Sequence, residues 1–175
     1  KMTVATVLFR EVGGKYEILT QLRSVPDPSY DPLYDMNIEA VAESLAPQEH
    51  MIDGASRGVE QELGASAEGF IFYGAGFKPI DAEAKFASTR AEDLYAYVAP
   101  LLFTWTIKGP QPWASVGFAA KVPSGWSPDM SKADGEALSP EWLAPADLLI
   151  ELEAHPEKFY GLTYQLFRMV ATELS

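Results

Sequence analysis

The chain has 175 residues, with 13 Lys and Arg against 25 Asp and Glu, for a formal net charge of −12; the length suits one domain with modest extensions. The lack of cysteine excludes disulfide frameworks, thiolate nucleophiles and cysteine-ligated zinc or iron–sulfur centres, and His50 and His155 alone leave no basis for a histidine-rich metal centre. The acidity, with basic residues scattered rather than clustered, argues against a nucleic-acid partner; it suits cation binding through carboxylates and equally an ordinary acidic protein.

Charged residues and prolines break every apolar run well short of the roughly 18 residues of a membrane span, so no membrane partner is expected. Residues 3–9 are apolar but lack a cleavage-site pattern, and Met2 reads as the natural start, with Lys1 an added residue. Without cysteine or an export signal, a cytoplasmic location is the expectation.

In chain order, residues 3–9 and 16–22 are β-branched-rich runs around Gly13-Gly14, a hairpin signal. Prolines 26, 28 and 32 mark an irregular loop leading to a short strand over 34–41. Ile52, Ala55, Val59 and Leu63 fall at helical steps, and Gly64 stands where a C-cap glycine belongs. Further strands are predicted over 68–77, 94–107 (interrupted by Pro100) and 113–122, and a long loop over 124–140. Two closing helices span 145–154 and 156–174, with Pro145 and Pro156 at first-turn positions. An apolar stripe of Phe159, Leu162, Leu166, Phe167 and Val170 marks the last helix as core packing. The order strands, helix, strands, loop, helices implies a mixed α+β domain rather than regular βαβ alternation.

Residues 43–65 carry the chemistry. At 100° per residue, positions 58, 61 and 62 share one face of the helix and Ala55, Val59 and Leu63 a neighbouring one. The Val59 side is therefore expected to be buried, with the Glu62 carboxylate at the rim of a cleft. Glu49, arriving from the preceding loop, is positioned to converge with it on a hard cation. On spacing alone, an amphipathic helix with solvated acids accounts for the same pattern.

The stretch resembles the Nudix box, a loop–helix–loop motif written G-x5-E-x7-R-E-U-x-E-E-x-G-U with U a bulky apolar residue. Glu49, Arg57, Val59, Glu62 and Gly64 fall in register with its first glutamate, arginine, first U, last glutamate and glycine. Glu136, followed by Glu141-Trp142-Leu143 and residues 145–149, resembles the family's closing strand and helix. The departures are Glu43 for the opening glycine, Gly58 for the glutamate after the arginine, Gln61 for the first paired glutamate and Ala65 for the final U. Residues 42–49 resemble a divergent branch with a proline before the glutamate, in which the arginine–glycine pair also occurs.

The resemblance implies a Nudix-like α/β/α sandwich, a mixed β-sheet flanked by helices, over residues 1–175. It implies hydrolysis of a nucleoside diphosphate-linked or related diphosphate by water attack at phosphorus, assisted by Mg²⁺ or Mn²⁺. Carried over by position, Glu62, Glu49 and Gln61 are the metal ligands. Arg57 orients the neighbouring carboxylates, and Glu136 is the loop acid acting as base or as an extra metal ligand, with Asp129, Asp134 and Glu141 as competitors. Glycine at 58 gives up a ligand and destabilises a helix interior by about 1 kcal/mol relative to alanine.

Two other readings follow from the same residues. Gly58 and Gln61 suit a Nudix-fold domain that binds a nucleotide-like ligand or a protein partner without hydrolysing it, and Tyr30, Trp105, Trp113 and Trp126 are available to stack on a base. Gly54-Ala55-Ser56-Arg57-Gly58 also matches a G-x-S-x-G nucleophile elbow, followed by Asp147 and His155 in serine-hydrolase order. That elbow needs a buried strand before it, and residues 49–53 are too polar and short to form one.

Overall fold

The structure, a computed structural model, describes residues 1–24, 36–81, 85–87, 94–96, 98–107 and 112–175, with 85–87 and 94–96 described by backbone alone. Tyr30 and most of the 24–34 loop lie outside the described residues.

The expected hairpin forms from β1 (Met2–Val12) and β2 (Lys15–Arg23), paired antiparallel from Phe9↔Ile18 to Val12↔Lys15. β1 is the centre of the sheet. It runs parallel to β10 (Ala114–Lys121) from Met2↔Ala114 to Phe9↔Lys121, which makes the sheet mixed. Val4 and Leu8 pack with Val59, Leu63 and Phe118 on one face, whereas Ala5, Val7 and Phe9 pack with Leu148, Leu152, Leu166 and Phe167 on the other. A strand buried on both faces reads as a continuous apolar run, as residues 3–9 do.

The first face is covered by α1 (Met51–Leu63), and the second by α2 (Pro145–Ala154) and α3 (Gly161–Leu174). The result is the expected α/β/α sandwich. Among the described residues the main sheet has nine strands, including β5 (Ile71–Gly74), β6 (Lys78–Pro79), β9 (Leu102–Trp105) and β11 (Ala137–Leu143). β7 (Lys85–Ala87) and β8 (Leu94–Ala96) pair with each other apart from it.

Several predicted boundaries change for physical reasons. The strand expected over 34–41 begins outside the described residues and then splits at Ala40 into β3 (Ile38–Glu39) and β4 (Val41–Ser44). β3 pairs with β2, β4 with β1, so the chain changes partner there. The strand expected over 94–107 likewise divides into β8 and β9. The loop expected over 124–140 ends early, since β11 pairs with β2 from Ala137, with a register shift between Leu138 and Glu141. The helix expected over 156–174 begins as a 3-10 turn, Pro156–Lys158, and restarts at Gly161. Between them the Tyr160 N–H donates to the Ile38 carbonyl at 2.9 Å, which draws that segment into extended backbone beside β3.

Among the described residues no helix is long and apolar enough to cross a membrane.

Candidate active site

α1 starts on His50, whose Nδ1 accepts from the Ile52 N–H at 3.1 Å and so caps the helix. It ends on Gly64 in the left-handed region, with φ 64°. A Cβ there would lie 2.0 Å from the Asp129 carbonyl oxygen, so only glycine allows the 124–136 loop to approach. That loop satisfies the open end of the helix: Asp129 N–H donates to the Leu63 carbonyl and Asp134 N–H to that of Gln61, at 2.8 and 2.9 Å. The Trp126 indole donates to the Ser66 carbonyl at 2.8 Å and its ring packs on Phe70 and Trp142. By these contacts Asp134 and Glu136 are brought to the edge of a cleft of about 590 Å³.

Arg57, Gln61, Glu43, Asp134, Glu136 and Trp113 line this cleft. Arg57 forms a fork with Glu49, Nε to Oε1 and Nη2 to Oε2, both at 2.9 Å. Its remaining donors reach the Ser44 carbonyl at 2.7 Å, Gln61 Oε1 at 3.1 Å and Glu43 Oε2 at 3.1 Å. The Ala46 N–H also donates to Glu49 at 2.8 Å. These donors hold the Glu49 carboxyl down at about 2, with the Arg57 hydrogen bonds the largest cause, and raise Arg57 above its ordinary value. Arginine suits the place because its planar fork matches a carboxylate bidentately.

Glu62 is more deeply placed than the sequence suggested. It is 3 % exposed, inside the protein rather than at a rim. Its Oε1 accepts from the Ala42 N–H at 3.0 Å, on the edge of β4 that pairs with no strand among the described residues, and its Oε2 accepts from Gln21 Nε2. Glu39, 2 % exposed, is paired with Arg23 at 3.1 Å and hydrogen-bonded to Gln21. Burial, then repulsion from Glu39, pushes the Glu62 carboxyl well above the usual carboxylate range. Burial lifts Glu39 to about 7 despite the opposing Arg23. Glu136 is also raised, by desolvation first and then by Asp134 and Glu43.

The structure therefore brings Arg57, Gln61 and Glu136 to one cleft, seats Glu62 beneath β4 and turns Glu49 towards Arg57. Of the competing loop acids, Asp129 pairs with Lys132 at 2.7 Å, and Asp134 lines the cleft. Sequence reasoning missed Gln21, Glu39 and Arg23. Their signal was an acid inside the apolar run Ile38-Glu39-Ala40-Val41 and an amide inside Ile18-Leu19-Thr20-Gln21-Leu22.

The nucleophile-elbow reading is corrected. Ser56 lies inside α1, and its hydroxyl donates to the Ile52 carbonyl at 2.9 Å one turn back, so no strand-to-helix turn presents it. Of the aromatic candidates, Trp113 lines the cleft, Trp126 packs in the loop cluster, and Trp105 is exposed on β9 beside Phe103.

Donor chemistry can be tested against a divalent cation. Cleft and floor offer carboxylate and amide oxygens, the ligands of a hard ion. The Oε1 of Gln21, on the buried amide that donates to Glu62, has no hydrogen-bond partner among the described residues. Glu62 and Glu39, two buried carboxylates that repel each other, and the unpaired Gln21 oxygen are groups that a cation would stabilise. As they stand, the acids are not closed around one point: among the described residues no three acidic or histidine side chains form a group that could hold a metal.

The architecture is the fold seen in solved Nudix-family structures. A Clostridium perfringens hydrolase of the Nudix family superposes with a TM-score of 0.64 at 15 % identity, over 99 % of this chain and 97 % of that one. A Caenorhabditis elegans Ap4A hydrolase in a binary complex does so with a TM-score of 0.62 at 14 % identity, over 99 % and 96 %. The Nudix domain of Shewanella oneidensis NrtR, complexed with ADP ribose, matches with a TM-score of 0.59 at 12 % identity, over 99 % and 88 %. No family model matches the chain, and no curated protein is similar to it in sequence. The chain has the Nudix fold.

Proposed function

We propose that the chain is a divergent Nudix-type hydrolase that cleaves a nucleoside diphosphate-linked or related diphosphate by water attack at phosphorus, with Mg²⁺ or Mn²⁺ as its cofactor. The observation that supports this reading is Glu62, a carboxylate buried on the box helix and raised by desolvation first and then by the nearby carboxylate of Glu39. Glu62 and Gln61 would hold the metal. A divalent cation bound there supplies charge neutralisation on the diphosphate and a lowered pKa for coordinated water. Arg57 fixes the loop before α1 through Glu49 and the Ser44 carbonyl. Glu49, held by Arg57 and the Ala46 N–H, would support the metal-binding turn as the remaining acid of the set. Glu136 lines the cleft, its carboxyl raised by desolvation first and then by Asp134 and Glu43, and would serve as the general base. The Ap4A and ADP ribose of the similar structures are the class of molecule from which a substrate panel is best drawn.

The test is turnover of such a panel with Mg²⁺ or Mn²⁺. Diphosphate cleavage that is abolished by chelation and falls about 100-fold or more in Glu62→Gln is the expected outcome. Turnover unchanged by Glu62→Gln would overturn the assignment. A second reading, binding without hydrolysis, is favoured by the neutral Gln61, whose amide oxygen is held by Arg57. Saturable nucleotide binding with no cleavage is its signature.

A further inference from the structure

The tryptophans take different places in this fold. Trp126 and Trp142 pack against the core beneath α1, and Trp105 is 60 % exposed on β9. Trp113 is half-buried, belongs to neither core cluster among the described residues, and lines the cleft. Its backbone is pinned on both sides. The Trp113 carbonyl accepts from the Thr106 N–H at 2.9 Å, and the next N–H, that of Ala114, donates to the Lys1 carbonyl at 3.0 Å. The ring turns a face to Lys1, another cleft-lining side chain, whose Nζ lies 4.9 Å from the ring centroid. A large ring held outside the core with its face at a cleft offers contact area at little entropic cost.

The cleft is divided in character. Arg57 and Gln61 enter it from α1, Glu43 from β4 and Glu136 from the loop before β11, whereas Trp113 enters from the start of β10 and Leu162 from α3. β4, β1 and β10 lie side by side, in register through Ser44, Thr3 and Ser115. The strand that carries Trp113 is therefore two strand spacings, about 10 Å, from β4. Thr3, on the strand between them, also lines the cleft. A nucleotide spans such a separation, with its base at one end and its diphosphate at the other.

Resting on the hydrolase reading above, we propose that Trp113 is the platform on which the base of a nucleotide substrate stacks, the molecule lying across β1 with its diphosphate towards Gln61. Every base has a π-face, so an indole wall favours a nucleotide over a diphosphate that carries no ring. Trp113 touches the base and not the reacting phosphorus, and its part is specificity.

The experiment is calorimetric binding of two probes to the full chain in Mg²⁺. One is α,β-methylene-ADP, which has a base and an uncleavable bridge, and the other is methylenediphosphonate, which has the bridge alone. Trp113→Leu is expected to weaken the first about 10-fold or more and to leave the second within about 2-fold of the parent. Trp113→Phe, which keeps a ring, is expected to recover most of the loss, and Trp105→Leu, outside the cleft, to match the parent. The Tm of both Trp113 variants is expected within about 3 °C of the parent, since the side chain is in neither core cluster. For a nucleotide that is turned over, KM rises in Trp113→Leu and kcat is kept. Equal losses for the two probes, an unchanged affinity for α,β-methylene-ADP, or a parent that binds neither probe would overturn the inference. If Glu62→Gln abolishes turnover while Trp113→Leu keeps its nucleotide affinity, only this inference falls. If the nucleotide binds through Trp113 and nothing is cleaved, the hydrolase reading falls and this inference stands.

Discussion

Helix α1 carries two groups of charge that are built on opposite terms. At the cleft surface, Arg57 meets Glu49, Glu43, Gln61 and the Ser44 carbonyl, and its cation is shared among acceptors that each gain a hydrogen bond. A turn further on, Glu62 is buried with Gln21 and the Ala42 N–H, beside a second buried acid, Glu39, which pairs with Arg23. The first group lowers a carboxylate pKa and the second raises two. Perturbation in the stabilising direction marks a structural ion pair. Perturbation against burial and like charge persists in folded proteins where function needs it. The contrast supports the proposal made above that Glu62 takes part in the chemistry while Arg57 holds the loop before α1 in place.

Removing the shared cation is the largest way to break the contrast. Arg57→Ala strands Glu49 and Glu43 and frees the Ser44 carbonyl, and is expected to lower stability by about 2–3 kcal/mol in urea unfolding. Arg57→Lys, which cannot form the fork, is expected to recover only part of that. A variant as stable as the parent would contradict the structural assignment.

The buried acids behave in the reverse sense. A folded-state pKa of about 7 for Glu39 lies above the ordinary 4.5. Its contribution to stability is therefore fully present below pH 4.5 and is lost as the pH rises through 7. Glu39→Gln is expected to flatten this limb and to raise stability at pH 8 by about 1–2 kcal/mol. An alkaline limb of unchanged steepness would contradict the charge imbalance.

Glu49 supplies the smallest effect and the opposite slope. With its carboxyl at about 2 instead of 4.5, its stabilisation is present above pH 4.5 and is lost as the pH falls towards 2. The pair is partly open to solvent, so Glu49→Gln is expected to remove about 1 kcal/mol at pH 7 and to make the acid limb shallower. A parental acid limb would place the acid-sensitive interaction elsewhere.

Much of this was legible in the sequence, and the limits have physical causes. The hairpin and the α1 stripe were readable because periodicity records which faces are buried, and Gly64 because a left-handed cap demands glycine. The box registered Arg57 and Glu62 but not their difference in depth. A helical wheel places Glu62 on a face without stating that β4, unpaired on its outer edge among the described residues, lies there offering the Ala42 N–H. The break at Ala40 was illegible because it is made by a change of partner strand from β2 to β1, and the restart of α3 at Gly161 because it depends on pairing of Phe159–Tyr160 with Ile38, more than a hundred residues away. Glu39 and Gln21 could have been found as polar residues inside apolar runs. Their meeting with Glu62, however, depends on how β2, β3 and α1 pack.

Anomalous diffraction at the manganese edge, from a crystal equilibrated with Mn²⁺, tests the central assignment most directly. The account predicts one dominant peak bounded by Glu62 and Gln61, with the Arg57–Glu49 fork unchanged beside it. A peak confined to surface acids such as Asp129, or none in the cleft, would contradict it.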